Sequence, residues 1–251
     1  STWNLGSDKE STICDGNSKD TRRVFVLQSE DDGLSWSNPK EVTENVKASH
    51  WRWFATGPGH GIQLMQGAKR GRLIIPCDHS YPECIPGQYL GSHVIYSDDH
   101  GKTWKYSDAI IPNVNENEIV ELLDGRLMMN ARNHRNIGSR DVANSEDGGE
   151  TWPYVSYNSN LPEPKCQASI IRYSPNNSSD RDIILFSNPS NSKERLNMSI
   201  KASYDSGKTW PVVKSLHEQF SAYSCLAVLP NGKIVCLYEA GIEQLYEKIV
   251  I

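Results

Sequence analysis

The chain has 251 residues, with 26 Lys and Arg set against 31 Asp and Glu for a formal net charge of −5, and both signs are mixed along its length. That length suffices to bury a sizeable core as one large domain or two small ones. No basic stripe is present to neutralise phosphates, which argues against a nucleic-acid partner, whereas an anionic small molecule needs only a few local Arg.

No apolar run approaches the length of a membrane span. The chain begins at Ser1 inside what reads as ordered sequence, without a signal peptide, and is expected to be a fragment or a processed chain. Its six Cys (14, 77, 84, 166, 225 and 236) contain no Cys-x-x-Cys pair and read as free buried thiols, with Cys77 and Cys84 the pair to check for a bond. Its seven His are scattered singly, so no metal site or cofactor is read from them, and no calcium ligand cluster stands out. Asn176, Asn177 and Asn197 each open an Asn-x-Ser sequon, which points toward an exported protein, whereas unpaired thiols point the other way.

In chain order, strands are expected at "RVFVLQS" (23–29), "RLIIPC" (72–77), "HVIYS" (93–97), "RLMMNAR" (126–132), "SIIRYS" (169–174), "DIILFSN" (182–188), "MSIKASY" (198–204), "LAVL" (226–229) and "KIVCLYE" (233–239). These segments are short, apolar or alternating, and rich in β-branched residues, with Gly, Pro, Asn, Asp and Ser clusters between them. No stretch keeps a helical period across three turns. The chain is expected to be nearly all-β.

One pattern recurs four times: "SEDDGLSW" (29–36), "SDDHGKTW" (97–104), "SEDGGETW" (145–152) and "SYDSGKTW" (203–210) all fit Ser-x-Asp-x-Gly-x-x-Trp. Each follows a strand ending in Ser and so occupies the turn that leaves it. There Asp accepts hydrogen bonds from turn amides, Gly supplies an unusual backbone angle, Ser closes the turn, and Trp fills the gap between neighbouring sheets. Four equivalent sites at four separate turns are a poor design for acid–base chemistry, so the motif reads as structural. Its spacing of about fifty to seventy residues, with short strands, predicts a β-propeller with one box per blade and about four blades covered.

Chemistry is then expected from residues that do not repeat. In "NENEIVELLDGRLMMNARNHR" (115–135), Glu116 precedes one strand and Arg132 ends the next, so a hairpin brings them to the same end of the sheet. Arg195 enters the strand before the fourth box, Tyr223 sits among small residues in "SAYSCLAVL", and Glu239 ends the apolar "VCLYEAG" segment.

These segments, with "WRWFATGPGHGIQL" (51–64), resemble in the same order those of the exo-α-sialidases (neuraminidases) of bacterial and animal type, whose Asp box is the repeated motif. The resemblance covers essentially the whole chain and implies a six-bladed propeller, of which residues 1–251 would be a partial catalytic domain. It implies that Arg132 and Arg195 are two of the three arginines that grip the substrate carboxylate. Tyr223 matches the nucleophile, Glu116 the carboxylate that takes its proton, Glu239 the acid that orients the first arginine, and Glu10 the contact to the glycerol tail. Asp78 and His79 fall in a loop near the sugar, without an assigned role. The family's Arg-Ile-Pro motif, which supplies the first arginine, and the acid/base Asp after it are not found, so the N-terminal blades are expected to be missing and these residues alone to be inactive.

The implied reaction is retaining hydrolysis of terminal α-linked sialic acid through a tyrosyl-enzyme intermediate. The substrates implied are sialylated glycoproteins, glycolipids or oligosaccharides. The alternatives are a trans-sialidase, for which Trp51 or Trp53 would face the acceptor, a non-catalytic Asp-box propeller that binds carbohydrate or protein, and a degenerate paralogue.

Overall fold

The computed structural model describes residues 1–4, 7–82, 90–110, 112–174 and 183–251. Among these the structure is all-β apart from two short helices, α1 (Glu10–Cys14) and α2 (Thr43–Val46). None of its helices is long and apolar enough to cross a membrane.

Among the described residues every strand pairing is antiparallel, and four sheets follow one another along the chain. The first holds β1 (Thr2–Trp3), β2 (Arg23–Val26) and β3 (Lys40–Glu41). The second holds β4 (Phe54–Thr56), β5 (Ile62–Gln63), β6 (Leu73–Ser80), β7 (Leu90–Ser97) and β8 (Lys105–Tyr106), with β5 beside β6. The third runs through β9 (Val114–Glu121), β10 (Leu127–Asn133), β11 (Ser139–Ser145) and β12 (Tyr154–Pro162). The last holds β13 (Ser169–Tyr173), β14 (Ile183–Pro189), β15 (Leu196–Ser203), β16 (Val212–Val228), β17 (Ile234–Ala240) and β18 (Lys248–Val250).

Strand alternation explains how the sheets stack. On β10, Leu127, Met129 and Ala131 join Ile74 and Val94 of the second sheet in one core, while Met128 on the opposite face joins Ile170, Ile184 and Phe186 of the fourth. With a side-chain period of two, a strand that is apolar at every position must be covered on both faces. Likewise Ile171 and Leu185 face Leu226 and Tyr238. The 17-residue β16 pairs with β15 through Phe220 and with β17 from Ser221, so it passes from one blade into the next.

The four boxes are the connections β2–β3, β7–β8, β11–β12 and β15–β16; the first three lead to an outermost strand and the fourth to the long β16. In the second box Ser97 Oγ donates to Asp99 and accepts the Gly101 N–H at 2.8 Å, while Asp99 accepts the Thr103 N–H at 2.8 Å and its hydroxyl at 2.6 Å. The other three repeat the scheme. These bonds, led by that from the Ser35 hydroxyl, hold the Asp31 carboxyl down at about 2. Trp104, Trp152 and Trp210 each pack into the core shared with the preceding sheet. Trp36 is 61% exposed, and no sheet precedes its own among the described residues.

A consequence is measurable by thermal unfolding: Asp147→Asn lowers Tm by several degrees, because it loosens the turn that seats buried Trp152. Trp152 is only 6% exposed, so the loss falls on a packed side chain.

Several details differ from the sequence expectations. Glu116 lies within β9 rather than before a strand, and Asp78 and His79 belong to β6 rather than to a loop. "LAVL" is the end of a much longer strand. β12 went unpredicted because it is an exposed outermost strand whose "YVSYNSN" run carries no core-facing apolar period. Cys84, Asn176 and Asn177 lie outside the described residues. Cys77 is a buried free thiol, and the Asn197 side chain is engaged on β15 with Ser199 and Ser215.

Candidate active site

Three breaks in the strand ladders gather the candidate residues. Between β9 and β10 the register steps from Asn117↔Ala131 to Val114↔Asn133, so Asn115 and Glu116 together oppose Arg132. Between β16 and β17 it steps from Ser224↔Tyr238 to Ser221↔Ala240, so Ala222 and Tyr223 oppose Glu239. β15 shifts register against β16 immediately after Arg195. A bulge turns a side chain away from the direction strict alternation would give it and releases an N–H from the ladder. At the second break the Glu239 carboxylate receives that N–H, from Tyr223, at 3.0 Å.

The bulged side chains meet. The Tyr223 hydroxyl donates to Glu116 Oε1. Arg132 Nη1 donates to Glu116 Oε2 at 2.6 Å and to the Tyr223 oxygen at 3.2 Å. The Arg195 guanidinium carbon lies 5.7 Å from the centre of the Tyr223 ring. The structure therefore brings together Tyr223, Glu116, Arg132, Arg195 and Glu239, five of the six residues singled out from sequence. The sixth, Glu10, opens α1 and lines the same cleft.

That cleft has a volume of about 810 Å³, and its walls include Glu10, Trp53, Asp78, Glu116, Arg132 and Tyr223. Burial, together with the negative charge of Glu116, pushes the Tyr223 phenol above its ordinary range, so at neutral pH it keeps its proton. Burial also raises the Asp78 carboxyl well above the usual carboxylate range, reinforced by Glu116 and Glu10. His134 bonds Asn115 at 2.9 Å and is lowered to about 4, chiefly by burial and then by the Arg132 charge, so it is neutral.

Sequence reasoning left out Asn115 and His134, which line the cleft, and Tyr246, which bonds Arg195 at 2.6 Å. Only Asn115 carried a usable signal, its adjacency to Glu116. Trp51, considered for an acceptor site, is buried and stacked on His79 at 3.7 Å between ring centres. Trp53 lines the cleft with the Arg22 guanidinium 4.2 Å above its ring.

An ion pair ties the segment between β4 and β5 to β9. Glu118, fully buried on β9, accepts from His60 Nδ1 at 2.8 Å and from the His60 and Ile170 backbone N–H groups at 3.1 and 2.5 Å. The bond to Glu118 raises the His60 pKa. A group raised in the folded state stabilises it fully below its unfolded value, near 6.5, and loses that contribution as pH rises through the folded value. His60 is partly open to water, so the pair is worth at most about 1 kcal/mol, or about 2–4 °C in Tm. Thermal unfolding between pH 6 and 9 is expected to show that decline, absent in His60→Gln.

With this geometry in place, comparison with known proteins is direct. The sequence profile of the BNR repeat-like domain matches residues 11–236. A sialidase of Micromonospora viridifaciens is 37% identical over 219 residues, covering 86% of this chain and 33% of that protein. The solved Hadza microbial sialidase Hz136 superimposes with a TM-score of 0.81 at 32% identity, over 94% of this chain and 46% of that one. The leech intramolecular trans-sialidase, complexed with 2,7-anhydro-Neu5Ac, gives a TM-score of 0.74 at 30% identity, over 87% of this chain and 33% of its own. The chain thus spans between a third and a half of the length of these three proteins. The boxes at the blade turns, the sheets they join and the profile match along most of the sequence agree, and the chain belongs to the sialidase family of Asp-box, BNR-repeat β-propellers.

Proposed function

We propose that the protein is an exo-α-sialidase that cleaves terminal α-linked sialic acid from glycoproteins, glycolipids or oligosaccharides with retention of configuration. In this reading residues 1–251 form the nucleophile-bearing part of the catalytic propeller. The observation that carries it is the contact of Tyr223 with Glu116 under one guanidinium, Arg132. A propeller that only binds a ligand has no use for a phenol aimed at a partly buried carboxylate.

The chemistry follows from charge. Sialic acid carries a carboxylate on its anomeric carbon, which a carboxylate nucleophile would approach against repulsion. A phenol approaches as a neutral group. As the Tyr223 oxygen bonds to the anomeric carbon, its proton passes to Glu116. The bond to the aglycone breaks, and the departing oxygen takes a proton from a general acid. Arg132 Nη1 already points at the phenol oxygen and so meets the charge that grows there. In the second half, water attacks the anomeric carbon and gives a proton back to the conjugate base of that general acid, while the tyrosyl bond breaks and Glu116 returns its proton to the phenol oxygen. Arg132 and Arg195 hold the substrate carboxylate, since guanidinium forks match its two oxygens. Glu239 fixes the nucleophile's backbone, and Glu10 faces the substrate's glycerol tail.

The test is ¹H NMR of a sialoside digest, using the protein expressed from its complete reading frame. The α-anomer of free sialic acid is expected first. The β-anomer first, or no cleavage, would contradict the proposal. A second reading, intramolecular transfer, is favoured by the similarity to the leech enzyme, and 2,7-anhydro sugar as sole product would select it.

A further inference from the structure

We propose that Tyr246, carried by the turn between β17 and β18, is a positioning residue that aims Arg195 at the substrate carboxylate. The inference rests on Arg195 gripping that carboxylate and assigns the device that holds it in place.

Arg195 precedes β15 and is anchored by two neutral oxygens. Its Nη1 donates to the Tyr246 hydroxyl at 2.6 Å, and its Nη2 to the Lys165 carbonyl at 3.1 Å. Among the described residues it forms no ion pair with a carboxylate, whereas Arg132 is paired with Glu116. The distinction matters for anion binding. A carboxylate partner would fix the guanidinium equally well but neutralise it, while a phenol and a carbonyl leave its full charge for a ligand. Five N–H groups serve two partners, so donors remain for a bidentate contact.

The turn is built to hold its position. The Glu247 carboxylate accepts the N–H groups of Ile242 at 2.9 Å, Glu243 at 3.1 Å and Gln244 at 3.0 Å. Gly241 donates to the Phe220 carbonyl at 2.8 Å, and its own carbonyl contacts His217 Nε2 at 2.9 Å, which ties the turn to β16. A Cβ at Gly241 would stand 1.7 Å from the Gln244 carbonyl oxygen, so the turn admits no side chain there. Tyr246 adopts a left-handed φ of 67°, an uncommon angle for a bulky residue. Yet its side chain is 57% exposed and is absent from the apolar cores. Core packing therefore does not explain this placement. The bond to Arg195 does.

One hairpin thereby serves two catalytic groups. Glu239 near the end of β17 fixes the Tyr223 backbone, and Tyr246 in the following turn fixes Arg195. Nucleophile and carboxylate grip are held in a common frame, which sets the anomeric carbon against the phenol oxygen.

The test is a double-mutant cycle on the protein from its complete reading frame, with Tyr246→Phe, Arg195→Ala and the double variant. The readout is the calorimetric Kd for 2-deoxy-2,3-dehydro-N-acetylneuraminic acid, with Tm as the folding control. Tyr246→Phe keeps the ring and removes only the hydroxyl, and is expected to weaken binding about tenfold with an unchanged Tm. In the Arg195→Ala background the same substitution is expected to change nothing, which a purely structural role would not produce. A Tyr246→Phe variant that binds as wild type, or one weakened equally in both backgrounds, overturns the positioning role. An Arg195→Ala variant that binds as wild type overturns the Arg195 grip itself and this inference with it.

Discussion

Tyr223→Phe is expected to lower kcat by at least about 10³-fold, with little change in KM. The substitution removes one oxygen, the atom that bonds Glu116 and receives Arg132, while the ring can keep its place in the bulge. Because the Glu239 bond is to the Tyr223 backbone N–H, it survives. Substrate binding through the two arginines is retained, so the loss falls on the chemical step. Glu116→Gln should fall in the range of about 10²–10⁴-fold, the usual span for losing a proton acceptor. The pair is expected to be non-additive: removing Glu116 from an enzyme that already lacks the phenol costs little more. Steady-state kinetics on a fluorogenic sialoside distinguishes the cases. If Tyr223→Phe retains wild-type kcat, the phenol is not the nucleophile.

Arg132→Ala is the second large effect, and it should appear in kcat and KM together. Arg132 is half of a mostly buried ion pair with Glu116, contacts the phenol, and faces the cleft. Truncating one partner of a buried charged pair costs about 2–5 kcal/mol, so kcat/KM is expected to fall by about 30-fold to about 5,000-fold. Arg132→Lys should recover little of this. An ammonium is a point charge on a flexible stem and cannot hold Glu116, the phenol and a substrate carboxylate from one plane. A Lys variant with near-wild-type kcat/KM would show that charge alone suffices.

How far the sequence revealed this site depends on the range of each signal. The boxes were legible because Ser, Asp, Gly and Trp interact within eight residues, and their bonds follow from composition alone. The strands were legible where both faces are buried, as in β10 and β14, because apolar runs leave a local trace. The exposed edge strand β12 left none. Glu116 and Arg132 could be paired in advance because one hairpin joins them. The meeting of Tyr223 with Glu116 across 107 residues depended instead on resemblance to known enzymes. The bulges that aim both side chains were invisible, since an extra residue in a strand has no composition of its own. Tyr246 was missed for a related reason: its partner lies 51 residues away, and nothing in "GIEQLYEK" marks a phenol that must reach an arginine.

The most direct test of the central claim is to trap the intermediate. The protein from its complete reading frame would be incubated with 2,3-difluorosialic acid, whose fluorine substituents slow turnover of the covalent adduct, and digested for peptide mass spectrometry. The account predicts a single sialyl adduct, on the peptide carrying Tyr223 and absent from Tyr223→Phe. An adduct on an Asp or Glu side chain, or sialoside hydrolysis that proceeds at full rate in Tyr223→Phe, would contradict it.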